Sequence, residues 1–193
     1  MANREQGPRE RLIDGTIALV REQGVHGTGL AELLGRTNTS RNSLYQHFPA
    51  GKSELVAAAT VVAGDRLSGI IDKITSTGGP EDWVVALTSY WRRGLPATSY
   101  GMGCPIVGAA LAGSEPDVQT AAAGAFTAWI AQLEGAFIRE GIAADRARSL
   151  ASFVISSIEG AIIVARARKS TVPLDDAEAN LLALLRSDPA ASD

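Results

Sequence analysis

Between Arg41 and His47 six of seven residues carry hydrogen-bonding side chains: Arg41, Asn42, Ser43, Tyr45, Gln46 and His47, with Leu44 the exception. A guanidinium and a carboxamide each offer paired hydrogen bonds to a base edge. Arg41 suits guanine and Asn42 suits adenine, at about 1–3 kcal/mol of discrimination apiece. Ser43 adds a short polar group beside them. Tyr45 and His47 suit a sugar-phosphate backbone, as do Thr28 and Ser40 if each opens a helix. Lys52 brings a point charge to the start of a further helix, where free N–H groups also attract a phosphate. Plainer uses compete: Arg41 as a solvated charge, Tyr45 as a packed ring, His47 as a helix-end cap.

Other chemistries lack their residues. The one cysteine, Cys104, cannot close an intramolecular disulfide, and only His26 and His47 could join it as metal ligands, so structural zinc is not expected. No basic residue adjoins Cys104 to activate its thiol for redox sensing. No Ser/His/Asp, Cys/His or paired-carboxylate set appears, and catalysis is not expected. Gly51-Lys52-Ser53 matches the end of a phosphate-binding loop. Gln46 stands where that loop needs its first glycine, however, and no strand precedes it, so no cofactor is implied.

The elements that must position Arg41–His47 are helical. Aromatics make up 5% of a chain rich in alanine and leucine, which disfavours a sandwich or barrel. Apolar spacing and Gly/Pro punctuation predict an all-α fold of about nine helices, over residues 8–23, 30–36, 41–47, 52–74, 81–95, 105–112, 115–139, 144–169 and 175–186. Gly24 is a natural stop for the first, and Thr28 an N-cap for the second. Thr37-Asn38-Thr39 forms a turn between two short helices, the spacing of a helix-turn-helix, and the first helix supplies its third wall. Leu44 and Phe48 face that wall. Phe48-Pro49-Ala50-Gly51 breaks the pattern, giving a domain over residues 1–51 and another over 52–193. Residues 96–103 read as a flexible stretch, and the polar tail 187–193 is expected to fray.

Charge is split between these parts. The net charge of −3 divides into +2 for residues 1–52, from seven basic and five acidic side chains, and −5 for the remainder. A mildly basic head on an acidic body fits contact with a polyanion through the head. No charge-free apolar run approaches the ~20 residues of a bilayer crossing, and residues 1–8 are too polar for a secretory signal. A cytoplasmic location without a membrane partner is expected.

Three stretches carry a family likeness: Thr28-Gly29-Leu30-Ala31-Glu32-Leu33-Leu34, Ser40 through Phe48, and Lys52-Ser53-Glu54-Leu55. Together the first ~55 residues resemble the head of TetR-family transcriptional regulators. Gly103-Cys104-Pro105-Ile106, Ala125-Phe126-x-x-Trp129 and Ile158-Glu159-Gly160-Ala161 resemble the body of the LmrA/YxaF-type branch. The resemblance implies a repressor that binds a palindromic double-stranded DNA operator as a homodimer and is released by a small effector. A helical activator or adaptor that kept the head is the alternative. Asn42 departs from the family's usual glycine, and Thr37-Asn38-Thr39 from its usual Ala-Gly-Val. Pro49-Ala50-Gly51 is also a residue longer than in many members.

The body then has two tasks. Trp83, Tyr90, Trp91, Met102, Phe126, Trp129 and Phe137 hold most of its large adaptable surface and suit a pocket for an apolar or aromatic effector, though each also suits plain core. Glu159 interrupts an apolar helix; an arginine partner, a cationic ligand and solvent are all open to it. The apolar face of residues 144–169 looks too extensive for one neighbour. Leu150, Phe153, Val154, Ser157, Ala161 and Ile162, with Leu181, Leu184 and Leu185 from the last helix, are expected to form a four-helix dimer interface, the other reading being packing within one subunit.

Overall fold

The computed structural model describes residues 6–187, so most of the tail expected to fray lies outside the described residues. Among these there are nine helices and no strand: α1 (Pro8–Gly27), α2 (Leu30–Thr37), α3 (Arg41–His47), α4 (Lys52–Thr75), α5 (Pro80–Ala97), α6 (Pro105–Ala110), α7 (Pro116–Arg139), α8 (Ala144–Arg168) and α9 (Val172–Arg186). Two compact units result. One takes the chain up to Arg66 together with Cys104–Phe126, and the other takes Leu67–Gly103 and the chain from Thr127. This grouping follows space rather than the expected division at residue 51.

The first unit is built on Leu12, Ile13, Leu19, Leu33, Leu44, Phe48, Leu55 and Ala59, buried where α1, α2, α3 and the start of α4 meet. Burying a leucine stabilises by about 1.5–3 kcal/mol, so this cluster holds the short α2 and α3, which would not persist alone. Gly15 lets α1 cross α2 closely, since a Cβ there would overlap Thr37 Cγ2 and lie 3.3 Å from Leu33 Cδ1. Arg11 ties the same crossing, its Nε donating to the Thr37 carbonyl at 3.1 Å and its Nη1 to the Gln6 carbonyl at 2.6 Å. Helix α6 also belongs here. It approaches α1 so nearly that a Cβ at Gly108 would lie 3.3 Å from Val20 Cγ1.

Gly24 does not end α1. It sits at φ +73 and kinks the helix, which resumes to Gly27. A glycine accepts this φ without a Cβ clash and so can kink a helix as readily as stop it. The extra turn corrects the expected role of Thr28. That residue caps the C-terminus of α1, its hydroxyl donates to the Gly24 carbonyl at 2.8 Å, and Gly29 is the N-cap of α2.

In the second unit α5, α8 and α9 pack on one another around Trp83, Trp91, Trp129, Leu133, Phe137, Leu150 and Leu181. Pro80 opens α5, and the Gly79 N–H donates to Asp82 Oδ2 at 3.0 Å. Arg92 on α5 joins α9 through Asp175 at 2.7 Å and Glu178 at 2.9 Å, and Thr88 donates to the same Glu178 carboxylate. The stretch after α5, expected to be flexible, is tied down. Ser99 and Tyr100 both adopt positive φ, and Arg166 of α8 donates to the Gly101 carbonyl at 2.9 Å. Helices α7 and α8 are long and apolar enough to cross a membrane by length and composition, a broader test than the charge-free run applied to the sequence. Half of the apolar window of α8 is buried in the fold, as suits a core helix.

Candidate nucleic-acid interface

Two short helices and a tight turn present the polar run. Asn38 closes α2 in the left-handed conformation at φ 48, which asparagine tolerates better than most residues. Ser40 then caps α3, its hydroxyl oxygen accepting from the Ser43 N–H at 3.1 Å. Substituting such a cap costs about 0.5–2 kcal/mol, so the start of the helix that carries Arg41 is well defined. Leu44 and Phe48, four residues apart, are buried at 0% and 2% exposure. This anchoring turns Arg41, Asn42, Tyr45, Gln46 and His47 to the surface, all of them exposed, with Ser43 half-buried. Gln46, to which the sequence alone assigns no contact, shares this exposed face between Tyr45 and His47.

The flanking residues are less uniform. Tyr45 is 47% exposed and its ring rests beside Gly51, where a Cβ would lie 3.2 Å from Tyr45 Cε1. Gly51 also has φ +82, and it is this backbone conformation that calls for a glycine in the link between α3 and α4. The half-buried Lys52 turns back, its Nζ donating to the Val25 carbonyl at 3.4 Å, a long bond that leaves it able to swing towards an anion. Thr28 is fully buried, and its hydroxyl cannot meet a phosphate from there. Behind this face Arg36 bonds Glu22 at 2.7 Å and Glu32 at 3.0 Å. The hydrogen bond from Arg36 holds the Glu22 carboxyl below the ordinary carboxylate range, outweighing the opposing effect of burial.

The residues singled out in the body separate into different environments. Trp83, Trp91, Trp129 and Phe137 are buried in the second unit, with Trp83 and Phe137 ring centroids 5.8 Å apart. Trp83 Nε1 donates to the Thr77 carbonyl at 2.9 Å. Glu159 is buried there too, Met102 is half-buried, and Tyr90 is exposed at the surface. Phe126, half-buried, falls in the first unit.

The expected dimer face needs a correction. Leu150, Val154, Ala161, Ile162, Leu181 and Leu185 are buried within the chain itself, because α8 has α9 on one side and α5 near it. Ser157 and Leu184 are half-buried. Of the named residues only Phe153 stays open, at 53%, and it shares the outer face of α8 with Ile163 and Val164 at 51% and 45%. These three side chains form the exposed apolar group of α8.

Comparison with known proteins matches this architecture. Residues 12–59 match the bacterial regulatory proteins of the tetR family, and residues 80–180 match the C-terminal domain of LmrA/YxaF-like transcriptional regulators. An uncharacterized HTH-type transcriptional regulator of Mycobacterium tuberculosis is 36% identical over 190 residues, covering 95% of this chain and 96% of that one. The HTH-type transcriptional regulator LmrA of Bacillus subtilis is 25% identical over 169 residues, covering 86% and 90%. In structure, the TetR regulatory protein of Rhodobacter sphaeroides superposes with a TM-score of 0.83 at 19% identity, over 91% of this chain and 97% of that one, a likeness of fold.

Proposed function

Because the chain belongs to the TetR family of transcriptional regulators, with an LmrA/YxaF-like C-terminal domain, we propose that it is a cytoplasmic repressor that binds a palindromic operator as a homodimer and leaves it on binding an effector. The observation that carries this is the outward face of α3, where Arg41, Asn42, Tyr45, Gln46 and His47 stand exposed over a core anchored by Leu44 and Phe48. Arg41 and Asn42 read base edges, Ser43 assists, and Tyr45, His47, Ser40 and Lys52 donate to the backbone. Asn42 in place of glycine gives this chain an operator preference of its own.

One head covers one half-site, so tight binding requires two heads about 34–36 Å apart, one turn of DNA. The outer face of α8, with Phe153, Ile163 and Val164, is the surface for a second copy, and α9 extends it through Leu184. The effector enters among Trp83, Trp91, Met102, Trp129 and Phe137, with Glu159, buried in the same unit, as the charged group. Its binding displaces α4, the helix that begins at Lys52 beside the head core, and changes the spacing of the heads. The effector must bind the released form more tightly, and about 1–3 kcal/mol of coupling yields a 5–150-fold response.

Footprinting on the DNA flanking its own coding region, repeated with lipophilic compounds, tests the reading. A protected palindrome is expected, with occupancy that falls steeply as salt rises. Binding that ignores salt, or that is the same in R41A and N42A, overturns the proposed contacts.

A further inference from the structure

Tyr90 was expected among the effector-pocket aromatics, yet it is 37% exposed, on a face of α5 that meets α4 along an open groove of about 560 Å³. Ile70, Lys73 and Ile74 line it from α4, and Val85, Tyr90 and Arg93 from α5. Every one of these residues lies in the second unit. The volume falls in the range of about 300–1,000 Å³ typical of small-molecule sites.

Its chemistry is two-sided. Val85 is 39% exposed, and with half-buried Ile70 and Ile74 it makes an apolar wall. The Tyr90 ring is braced edge-on by buried Trp91, with centroids 5.3 Å apart and planes at 85°. Against that wall stand two cations. Neither the Lys73 nor the Arg93 side chain makes an ion pair or hydrogen bond among the described residues, whereas the adjacent Arg92 is held by two carboxylates on α9. The one acid lining the groove, Asp82, accepts from the Gly79 N–H that opens α5, and against Lys73 and Arg93 it leaves the lining with a net charge of +1. Lys73 and Arg93 are both exposed to water, so a neutral ligand gains only the apolar wall, a cation is repelled, and an inorganic anion leaves that wall wet; an anionic head on an apolar body uses both.

We propose that this groove binds a small amphipathic carboxylate, an aromatic or medium-chain acid, whose carboxylate is taken by Lys73 and Arg93 and whose apolar body lies along Ile70, Ile74, Val85 and Tyr90. The site goes beyond the operator-binding reading and requires neither the head nor a second copy.

Calorimetric titration of the full chain with 1-naphthoate, and with the uncharged 1-naphthamide, tests it. The naphthoate is expected to bind wild type and to bind K73Q/R93Q at least about tenfold more weakly, the loss of a charge-assisted contact. V85E, which sets a carboxylate on the apolar wall, is expected to abolish binding. Naphthamide is expected to bind about tenfold more weakly than naphthoate and to be indifferent to K73Q/R93Q. The altered positions are at the surface, so circular dichroism and the thermal midpoint should match wild type. Absence of naphthoate binding at ~1 mM overturns the proposal, as does equal binding by K73Q/R93Q. Operator affinity measured without ligand on the same samples reports separately on the DNA-binding reading.

Discussion

Replacing Gly15 by alanine sets two effects of known sign against each other. Alanine gains about 1 kcal/mol over glycine in a helix interior. The added Cβ, however, overlaps Thr37 Cγ2, well inside the roughly 3.5–4.0 Å at which carbon atoms pack comfortably. Thr37 cannot swing away cheaply. It is 2% exposed, its hydroxyl donates to the Leu33 carbonyl at 2.8 Å, and that oxygen lies 2.7 Å from Thr39 Oγ1. Rotating the side chain would strand a buried hydroxyl at a cost of about 1–3 kcal/mol, so α1 and α2 must part instead, and overpacking of this kind costs about 1–3 kcal/mol. At the midpoint of that range the clash wins: about 2 kcal/mol of overpacking against about 1 gained leaves a net loss of about 1 kcal/mol, and at most about 2. T37S removes the obstructing methyl while keeping the hydroxyl, and it costs about 1 kcal/mol alone. The double variant G15A/T37S should therefore be less destabilised than the sum of the two, by about 1–2 kcal/mol. Urea denaturation followed by circular dichroism measures the cycle, and hydrogen exchange at the amides of residues 12–20 localises the loss. All three tryptophans lie in the second unit, so their fluorescence should respond least. Wild-type or higher stability of G15A, or strict additivity in the cycle, would refute the reasoning.

Other expectations follow from the same geometry. R41A and N42A should each weaken operator binding by about 1–3 kcal/mol and relax preference at one base pair, read by fluorescence anisotropy on substituted duplexes. Glu22 has its carboxyl pKa lowered by the hydrogen bond from Arg36, so its contribution to stability is full above the ordinary carboxylate value and is lost as pH falls through the lower folded one. The stability difference between wild type and E22Q, followed by urea titration from pH 7 to pH 3, should accordingly shrink with acidity; a difference that grows would reverse the assignment. F153E should shift sedimentation towards the monomer while leaving helicity intact, and a dimer unaffected by it would remove the outer face of α8 from the interface.

The head was readable in the sequence because its signals are local and strong. Leu44 and Phe48 face inward as their spacing demands, and Ser40 caps α3 as its type suggests. Thr28 was misassigned because Gly24 is ambiguous. A helix that stops and a helix that kinks both put glycine at positive φ, and only the chain beyond it decides. On α8 the apolar stripe was visible, but which side faces a partner depends on how much of it α9 and α5 consume. That leaves Phe153, Ile163 and Val164 outside and Leu150, Val154 and Ile162 within. Tyr90 was drawn into the interior by its aromaticity, though an aromatic ring with a polar tip sits equally well at a surface.

The crossing of α6 over α1 at Gly108 has a practical consequence for anyone dissecting the molecule. Val20, Ile106 and Ala109 are all buried, yet the first is far from the other two along the chain, and each would be laid bare if the two were separated. A fragment cut after α4 would present a wet apolar scar on α1 where its cover had been, and should aggregate or lose helix where the intact polypeptide does not. Excision of the head must therefore carry residues 104–126 along with it, joined by a designed connector.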